Sequence, residues 1–278
     1  VLWAVVNGYY VGKNITYIVA TNAGGGYDAY ARLIGGHLEQ KLNAEHVIIR
    51  NVPGAGHYIG ANTLARSRPD GLTIGTFNAG LIYGQLTGNR ALRFDLRNLG
   101  WIGKAAGEPR AMVVSARCEI QTIDDLISAE EPVAFSGAGI GSASYADTRL
   151  LSVALGLNIK IIPGYQGTES EMAMMRGEIC GQIGSQSSSQ GFVDAGYGSY
   201  ILTIGGDMVG IPNAMDYARD ERARQIVQLI SNMAELGRVS AAPPNTPQEQ
   251  LEALRAAYRS ALEDPALLET ANRMGRPI

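Results

Sequence analysis

The stretch ATNAGGGYDAYARL, residues 20–33, sets three consecutive glycines, Gly24, Gly25 and Gly26, between an apolar, β-branched run (15–19) and a segment that turns helical at Asp28. Ordinary strand-to-helix connections manage with one glycine, and each glycine loses more backbone entropy on folding than any other residue. Such a junction is either sterically extreme or approached very closely by something else. The following helix presents unpaired N–H groups and about half a positive charge. A glycine loop ahead of it lets an anion reach those amides with no Cβ in the way.

The layout recurs. FSGAGIGSASYAD (135–147) again runs strand, glycines (Gly137, Gly139, Gly141) and helix, with Ser142 where an N-cap belongs, and NVPGAGHYIG (51–60) joins a strand at 47–50 to a helix. One such loop is accounted for equally by a tight turn; two, one in each half of the chain, favour an anion site. A dinucleotide is the first anion to test. The loop from Gly54 to Gly60 reads G-x-G-x-x-x-G, but the fingerprint needs G-x-G-x-x-G/A and an acidic residue ending the next strand, and here that strand ends TFNAG. An NAD(P)-dependent α/β enzyme built on this loop is the rival reading. GIGSAS lacks the glycine spacing of a nucleophile elbow. Asp28, in a helix's first turn, reads as a cap with a depressed pKa rather than a base.

Outward from these loops, strands and helices alternate. Strands are predicted at 15–21, 47–50, 72–77, 111–116, 132–136, 159–162, 181–185 and 200–204, with helices at 28–41, 58–66, 122–129, 143–155 and 168–176. This is the pattern of an α/β protein whose largely parallel sheets carry helices on both faces. From Asp220 the chain reads helical, breaks at AAPPNTPQEQ, and ends in two helices; Thr246 is the expected N-cap and Pro247 the first helical residue.

At 278 residues the chain is large for one core, and two lobes are expected. The net charge of −3 and the lack of a Lys/Arg block give no footprint for nucleic acid. No apolar run reaches the roughly 20 residues that span a bilayer, and VLWAVV (1–6) fits the tail of a trimmed signal segment. His37, His46 and His57 form no ligand-spaced cluster, so neither a metal nor a cofactor is expected. Cys118 and Cys180 suit a disulfide in an oxidising compartment as well as two buried thiols. Both lie near strand ends, and their Cα separation decides between the two. Met172, Met174 and Met175 read as core or interface residues of a helix.

GKNITYIVATNAGGGYDAYAR, VIIRNVPGAGHYIGANTLARSRPDGLTIGT, FSGAGIGSASY, PGYQGTESEMAMMRGEICGQIGS and VDAGYGSYILTIG stand in one order over nearly the whole chain. In this the sequence resembles the solute-binding receptors of tripartite tricarboxylate transporters, the Bug family of periplasmic proteins. The resemblance implies a Venus-flytrap fold of two α/β lobes, 14–110 plus 213–278 and 111–212. It implies a monomeric periplasmic protein, not an enzyme, that binds a small carboxylic acid and passes it to integral-membrane transporter subunits. A sensory subunit of the same fold is not separated from a transport receptor by sequence.

The same resemblance places the carboxylate on backbone amides and waters of the first glycine loop (Asn22, Ala23, Gly24, Gly25, Gly26, Tyr27, Asp28) and of the second (Gly137, Gly139, Gly141, Ser142, Ala143, Tyr145). Walls would come from Asn78 and Ala79, from Tyr165, Gly167, Thr168 and Glu169, and from Ser185, Gln186 and Ser187 in the SQSSSQ run. Tyr27 stands where many members have Thr, and Tyr145 where many have His. Either ring could widen the pocket's chemistry towards longer or aromatic acids, or pack without meeting ligand. Arg110 reads as an ordinary ion-pair residue near the crossing between lobes.

Overall fold

The computed structural model describes residues 8–165 and 168–278; VLWAVV and Gly167 fall outside them. Strand β1 (Asn14–Val19) buries Ile15, Tyr17, Ile18 and Val19, side chains on both of its faces, as a parallel strand covered above and below must. The chain continues through α1 (Gly26–Leu42), β2 (His46–Asn51), α2 (Tyr58–Ala65), β3 (Thr73–Thr76), α3 (Gly80–Leu86) and β4 (Gly100–Lys104). It then builds a second sheet from β5 (Arg110–Ser115), α4 (Ile123–Ile127), β6 (Val133–Gly137), α5 (Ala143–Leu155) and β7 (Ile159–Pro163). That sheet is completed by α6 (Glu169–Arg176), β8 (Gly181–Ser185), α7 (Gln186–Asp194), β9 (Gly198–Ile204) and α8 (Glu221–Ala234). Finally the chain returns for β10 (Val239–Ala242), α9 (Gln248–Leu262) and α10 (Pro265–Arg273).

Two compact units result, residues 1–106 with 238–278 and residues 107–237. The first holds a five-stranded sheet in the order β2-β1-β3-β10-β4 and the second one in the order β7-β6-β8-β5-β9. The plans match. In each sheet one strand, β10 or β5, is antiparallel to both neighbours, and in each it is the first strand after the chain crosses from one unit to the other. The remaining strands therefore end at one edge, where the glycine loops lie.

The sequence-based boundary at 213 differs from the structure, which places 213–237 in the second unit. The reason is α8, which buries Ala223, Val227 and Ile230 in one core with Met112, Leu202 and Ile204. Burying a side chain of this size is worth about 1.5–3 kcal/mol, and the first sheet's core is already covered by α1 and α9. Strands β4 and β10 were not predicted. VSAA is too short and too small to show alternation, and β10 exists because β3 and β4 present edges to it. Pro247, not Thr246, is the N-cap of α9, while the Thr246 hydroxyl donates to the Pro243 carbonyl at 2.8 Å. In the SQSSSQ run Ser185 is the N-cap of α7 and Gln186 to Gln190 form its first turns.

Cys118 and Cys180 form a disulfide with a Cα separation of 5.3 Å. The antiparallel pairing of β5 with β8 brings the end of the one beside the start of the other. Met174 is buried, whereas Met172 and Met175 are exposed.

Candidate functional site

In the first unit the loops after β1, β2 and β3 meet at one sheet edge, and named side chains lace them together. Asp28, 3% exposed, accepts hydrogen bonds from the Gly24 amide (3.0 Å) and Arg32 Nε (2.9 Å) on Oδ2, and from Asn51 Nδ2 (2.9 Å) on Oδ1. Asn51 also donates to the Thr21 carbonyl at 3.0 Å. Burial pushes the Asp28 carboxyl up, but the bonds from Arg32, Gly24 and Asn51 outweigh it and hold the group below the usual carboxylate range. Asp28 is thus the strut of the glycine loop.

Each of the three glycines has its own structural role. Gly24 adopts φ 90°, a left-handed conformation, and turns its amide inward to Asp28. Gly25 is the N-cap of α1, with extended geometry and no side-chain cap hydrogen bond. Gly26 opens the helix. A glycine cap has no side-chain oxygen to offer, so the amides of the first turn are left for an outside acceptor.

His57 ties the other two loops to this one. It is buried, stands at φ 79°, and its Nδ1 accepts the Asn78 amide N–H at 3.3 Å. That bond puts the neutral ring's proton on Nε2. Its ring meets Tyr27 edge-on, with centroids 5.3 Å apart. Asn78 Oδ1 accepts the Gly80 amide at 2.8 Å, and Asn78 and Ala79 are both buried. The Tyr27 ring also carries the Arg238 guanidinium, 4.5 Å from its centroid. The glycines of the third loop have packing roles: a Cβ on Gly60 would stand 2.6 Å from Ala20 Cβ, and one on Gly54 2.5 Å from Ile59 Cδ1.

The second unit repeats the arrangement with different chemistry. Gly139 and Gly141 have positive φ, and Ser142 caps α5 by accepting the Tyr145 amide at 3.2 Å. The Ser144 hydroxyl accepts the Ala138 amide, and Ser142 and Ser144 bond each other. Gly137 lies under the Tyr145 side chain, and its carbonyl accepts the amides of Gly164 and Tyr165. Ala143 is buried, while Thr168 and Glu169 are exposed at the start of α6. Tyr165, Glu169 and Met172 border an open cavity of about 470 Å³.

At the third loop of this unit the start of α7 is already filled. Glu108 accepts the Ser187 amide (2.9 Å) and hydroxyl (2.7 Å), and the Gln186 amide donates to the Pro109 carbonyl. Ser185 Oγ accepts from Arg110 Nη1 at 3.1 Å. Arg110 Nε lies 3.1 Å from Asp147 Oδ2, and both side chains are buried. Of the two glycine loops, the first leaves more of its helix's amides open to a ligand.

The family model for the "Tripartite tricarboxylate transporter family receptor" matches residues 30–276. The chain belongs to this receptor family. An Agrobacterium vitis protein, described as a UPF0065 protein in the TAR-I ttuE-ttuC' intergenic region, is 27% identical to this receptor over 275 residues, covering 96% of this chain and 76% of that one. Among solved structures, the periplasmic binding protein BugD aligns with TM-score 0.81 at 22% identity over 96% of this chain and 88% of its own. MatC of Rhodopseudomonas palustris, solved with bound malate, aligns with TM-score 0.79 at 20% identity over 95% of this chain and 89% of its own. At those identities the structural likeness is one of fold, and it agrees with the two-unit α/β architecture expected from sequence. The receptor is a solute-binding protein.

Sequence reasoning about the receptor missed Asn51, His57, Glu108 and Arg238. Asn51 and His57 lie inside the quoted motifs, so the motifs signalled their importance without their roles. Glu108 and Arg238 carry no local signature, because each acts on a helix far away in sequence. Among the described residues, no group of His, Cys, Asp and Glu side chains has the spacing of a metal site, and no helix is long and apolar enough to cross a membrane.

Proposed function

We propose that this receptor captures a small carboxylic acid at the loop edge of its first unit, outside the cytoplasmic membrane, and delivers it to integral-membrane transporter subunits. The observation that carries the reading is the N-terminus of α1, a glycine cap with no side-chain bond, on a loop pre-shaped by Asp28. The amides of Gly25, Gly26 and Tyr27 are the donors assigned to the carboxylate, with Asn22 and Asn78 as further polar walls. Charge-assisted bonds of about 1.5–3 kcal/mol each, less the cost of association, support affinity of about micromolar. Malate bound to MatC is the chemistry this reading expects of a relative.

The role is binding, not turnover. Asp28, the carboxylate in the first turn of α1, spends both oxygens on Gly24, Arg32 and Asn51 and has no proton to exchange at neutral pH. The disulfide supports an oxidising compartment such as the periplasm. Tyr27 packs against His57 and Arg238, so its ring shapes the site while its amide binds.

The test is thermal unfolding of protein stripped of ligand, with malate, adipate, citrate, glutamate and benzoate, and NAD and NADP as controls. An acid at about 100 times its Kd adds about 2.7 kcal/mol, a rise of a few degrees for a chain of this size. A shift confined to acids supports the reading. A shift with the nucleotides alone, or with nothing, overturns it.

A further inference from the structure

Two buried hydroxyls on neighbouring strands of the first sheet are paired. Tyr17, in the middle of β1, meets Ser240 Oγ at 2.6 Å, and Thr76, at the end of β3, donates to the Val239 carbonyl at 2.8 Å. Thr21, just beyond the end of β1, breaks this pattern. It is 5% exposed, and its Oγ1 has no hydrogen-bond partner among the described residues. Such a group is uncommon in a folded protein and costs stability where it stands.

The end of β1 fixes where Thr21 lies. The Val52 amide donates to the Val19 carbonyl at 2.8 Å and the Ala20 amide to the Thr76 carbonyl at 3.1 Å, so strand pairing runs on past Val19. Tyr17 and Val19 pack in one core with Ala31 and Ile34 of α1, whereas Ile18 and Ala20 pack with Ala61 and Leu64 of α2. Side chains alternate between faces along a strand. Thr21 therefore falls on the α1 side, at the strand end from which the glycine loop leads into that helix. Asn51 closes the link, because its Nδ2 donates both to the Thr21 carbonyl (3.0 Å) and to Asp28 Oδ1 (2.9 Å). One nitrogen ties Thr21 to the first turn of α1.

The amides of that turn point along the helix axis and approach an anion from one side. A carboxylate has about four lone-pair sites, so donors from another direction add to the amides rather than compete with them. A threonine O–H rotates to meet its acceptor. The fold has already taken this hydroxyl out of water, so a bond from it to a ligand brings little further desolvation of the protein. A polar group left unpaired beside an anion site is a local rule broken where function is the expected reason.

We propose that Thr21 is a ligand-binding residue: its buried hydroxyl donates to the carboxylate seated on the first-turn amides of α1. This rests on the carboxylate reading above and deepens it. The hydroxyl works against the ligand-free fold and in favour of the complex, so its removal moves stability and affinity in opposite directions.

The experiment pairs calorimetric titration with thermal unfolding for wild type, Thr21→Val and Thr21→Ser, using malate, adipate, citrate, glutamate and benzoate. Valine keeps the β-branched shape and removes the oxygen; serine keeps the oxygen. Wild type is expected to bind at least one of the acids. Thr21→Val should lose at least about fivefold in affinity for that acid, since a hydrogen bond to a charged group is worth more than a neutral one. Without ligand, Thr21→Val should melt no lower than wild type. Thr21→Ser should bind more nearly as wild type does than as the valine variant does. A smaller loss in Thr21→Val overturns the proposal, as does serine weakening binding as much as valine. Lower melting of the ligand-free valine variant, or its failure to fold, also overturns it, because the hydroxyl would then serve the fold. If wild type binds no acid, the carboxylate reading itself falls and this one with it, an outcome distinct from failure of the variants.

Discussion

Asn51 Nδ2 donates to Asp28 Oδ1 at 2.9 Å, so the last residue of β2 fixes the first turn of the helix that follows β1. The loop between them is held in shape before any ligand arrives. Pre-organisation of this kind lowers the ordering cost that a binding site otherwise meets on association.

Asp28 gives this a pH signature. Its carboxyl lies below the usual range when folded and returns to about 3.9 when unfolded. Its contribution to stability is therefore full above about pH 4 and is lost as pH falls through the lower folded value. Asp28→Asn should cost about 1.5–3 kcal/mol at neutral pH. Melting temperatures between pH 2 and 7 should show a steeper acid limb in wild type than in the variant; parallel limbs would deny Asp28 this role.

Gly60 lets α2 approach the end of β1. A Cβ there would stand 2.6 Å from Ala20 Cβ and 2.7 Å from both Ala20 Cα and the Val52 carbonyl oxygen, atoms with no flexible side chain to yield. Gly60→Ala should destabilise by about 1–3 kcal/mol and lower the urea midpoint without changing the slope. An unchanged midpoint would show that the helix is free to shift.

Arg110 and Asp147 form a buried pair at 3.1 Å. Removing one partner strands the other charge, so Asp147→Ala should cost about 3–5 kcal/mol by urea unfolding. Replacing both, as Arg110→Met with Asp147→Leu, should cost less than the single change. A double variant weaker than the single would mean that the pair is more than a self-neutralising unit.

The disulfide closes a loop with a sequence separation of 62 residues. Loop-closure entropy over that length gives about 4 kcal/mol of stabilisation. Cys118→Ser with Cys180→Ser should fold under native conditions yet melt several degrees lower, and a reducing agent should lower wild type but not the variant. Equal sensitivity of both proteins to the reductant would exclude the bond as the cause.

How far the sequence reads ahead depends on where each residue's partner sits. The glycine loops and their helices were legible because the signal is local: three glycines, then Asp28, within one turn of helix. The alternation of strands and helices was legible for the same reason. Strand β10 was not, because Val239–Ala242 is a strand only through the edges of β3 and β4. The cap of α7 was not legible either, since Glu108 stands 79 residues before Ser187. Motif likeness pointed to Tyr27 as a departure. Its place between His57 and Arg238 is set by residues from three separate segments, and no window of sequence contains it.

The reversed strands carry a consequence for the order of events during synthesis. Each sheet takes its reversed strand from chain that has just left the other unit, so β3 and β4 both lack the strand that lies between them until residues 239–242 emerge. Strands β1 to β4 of the first unit are made before the second unit, but the first unit cannot finish folding until the second has been made. Its contacts span most of the chain, which slows closure and leaves two open strand edges exposed meanwhile. Once the chain has been made through Gly237 the second unit's sequence is complete and the first unit's is not, so the nascent protein matures from its middle outward.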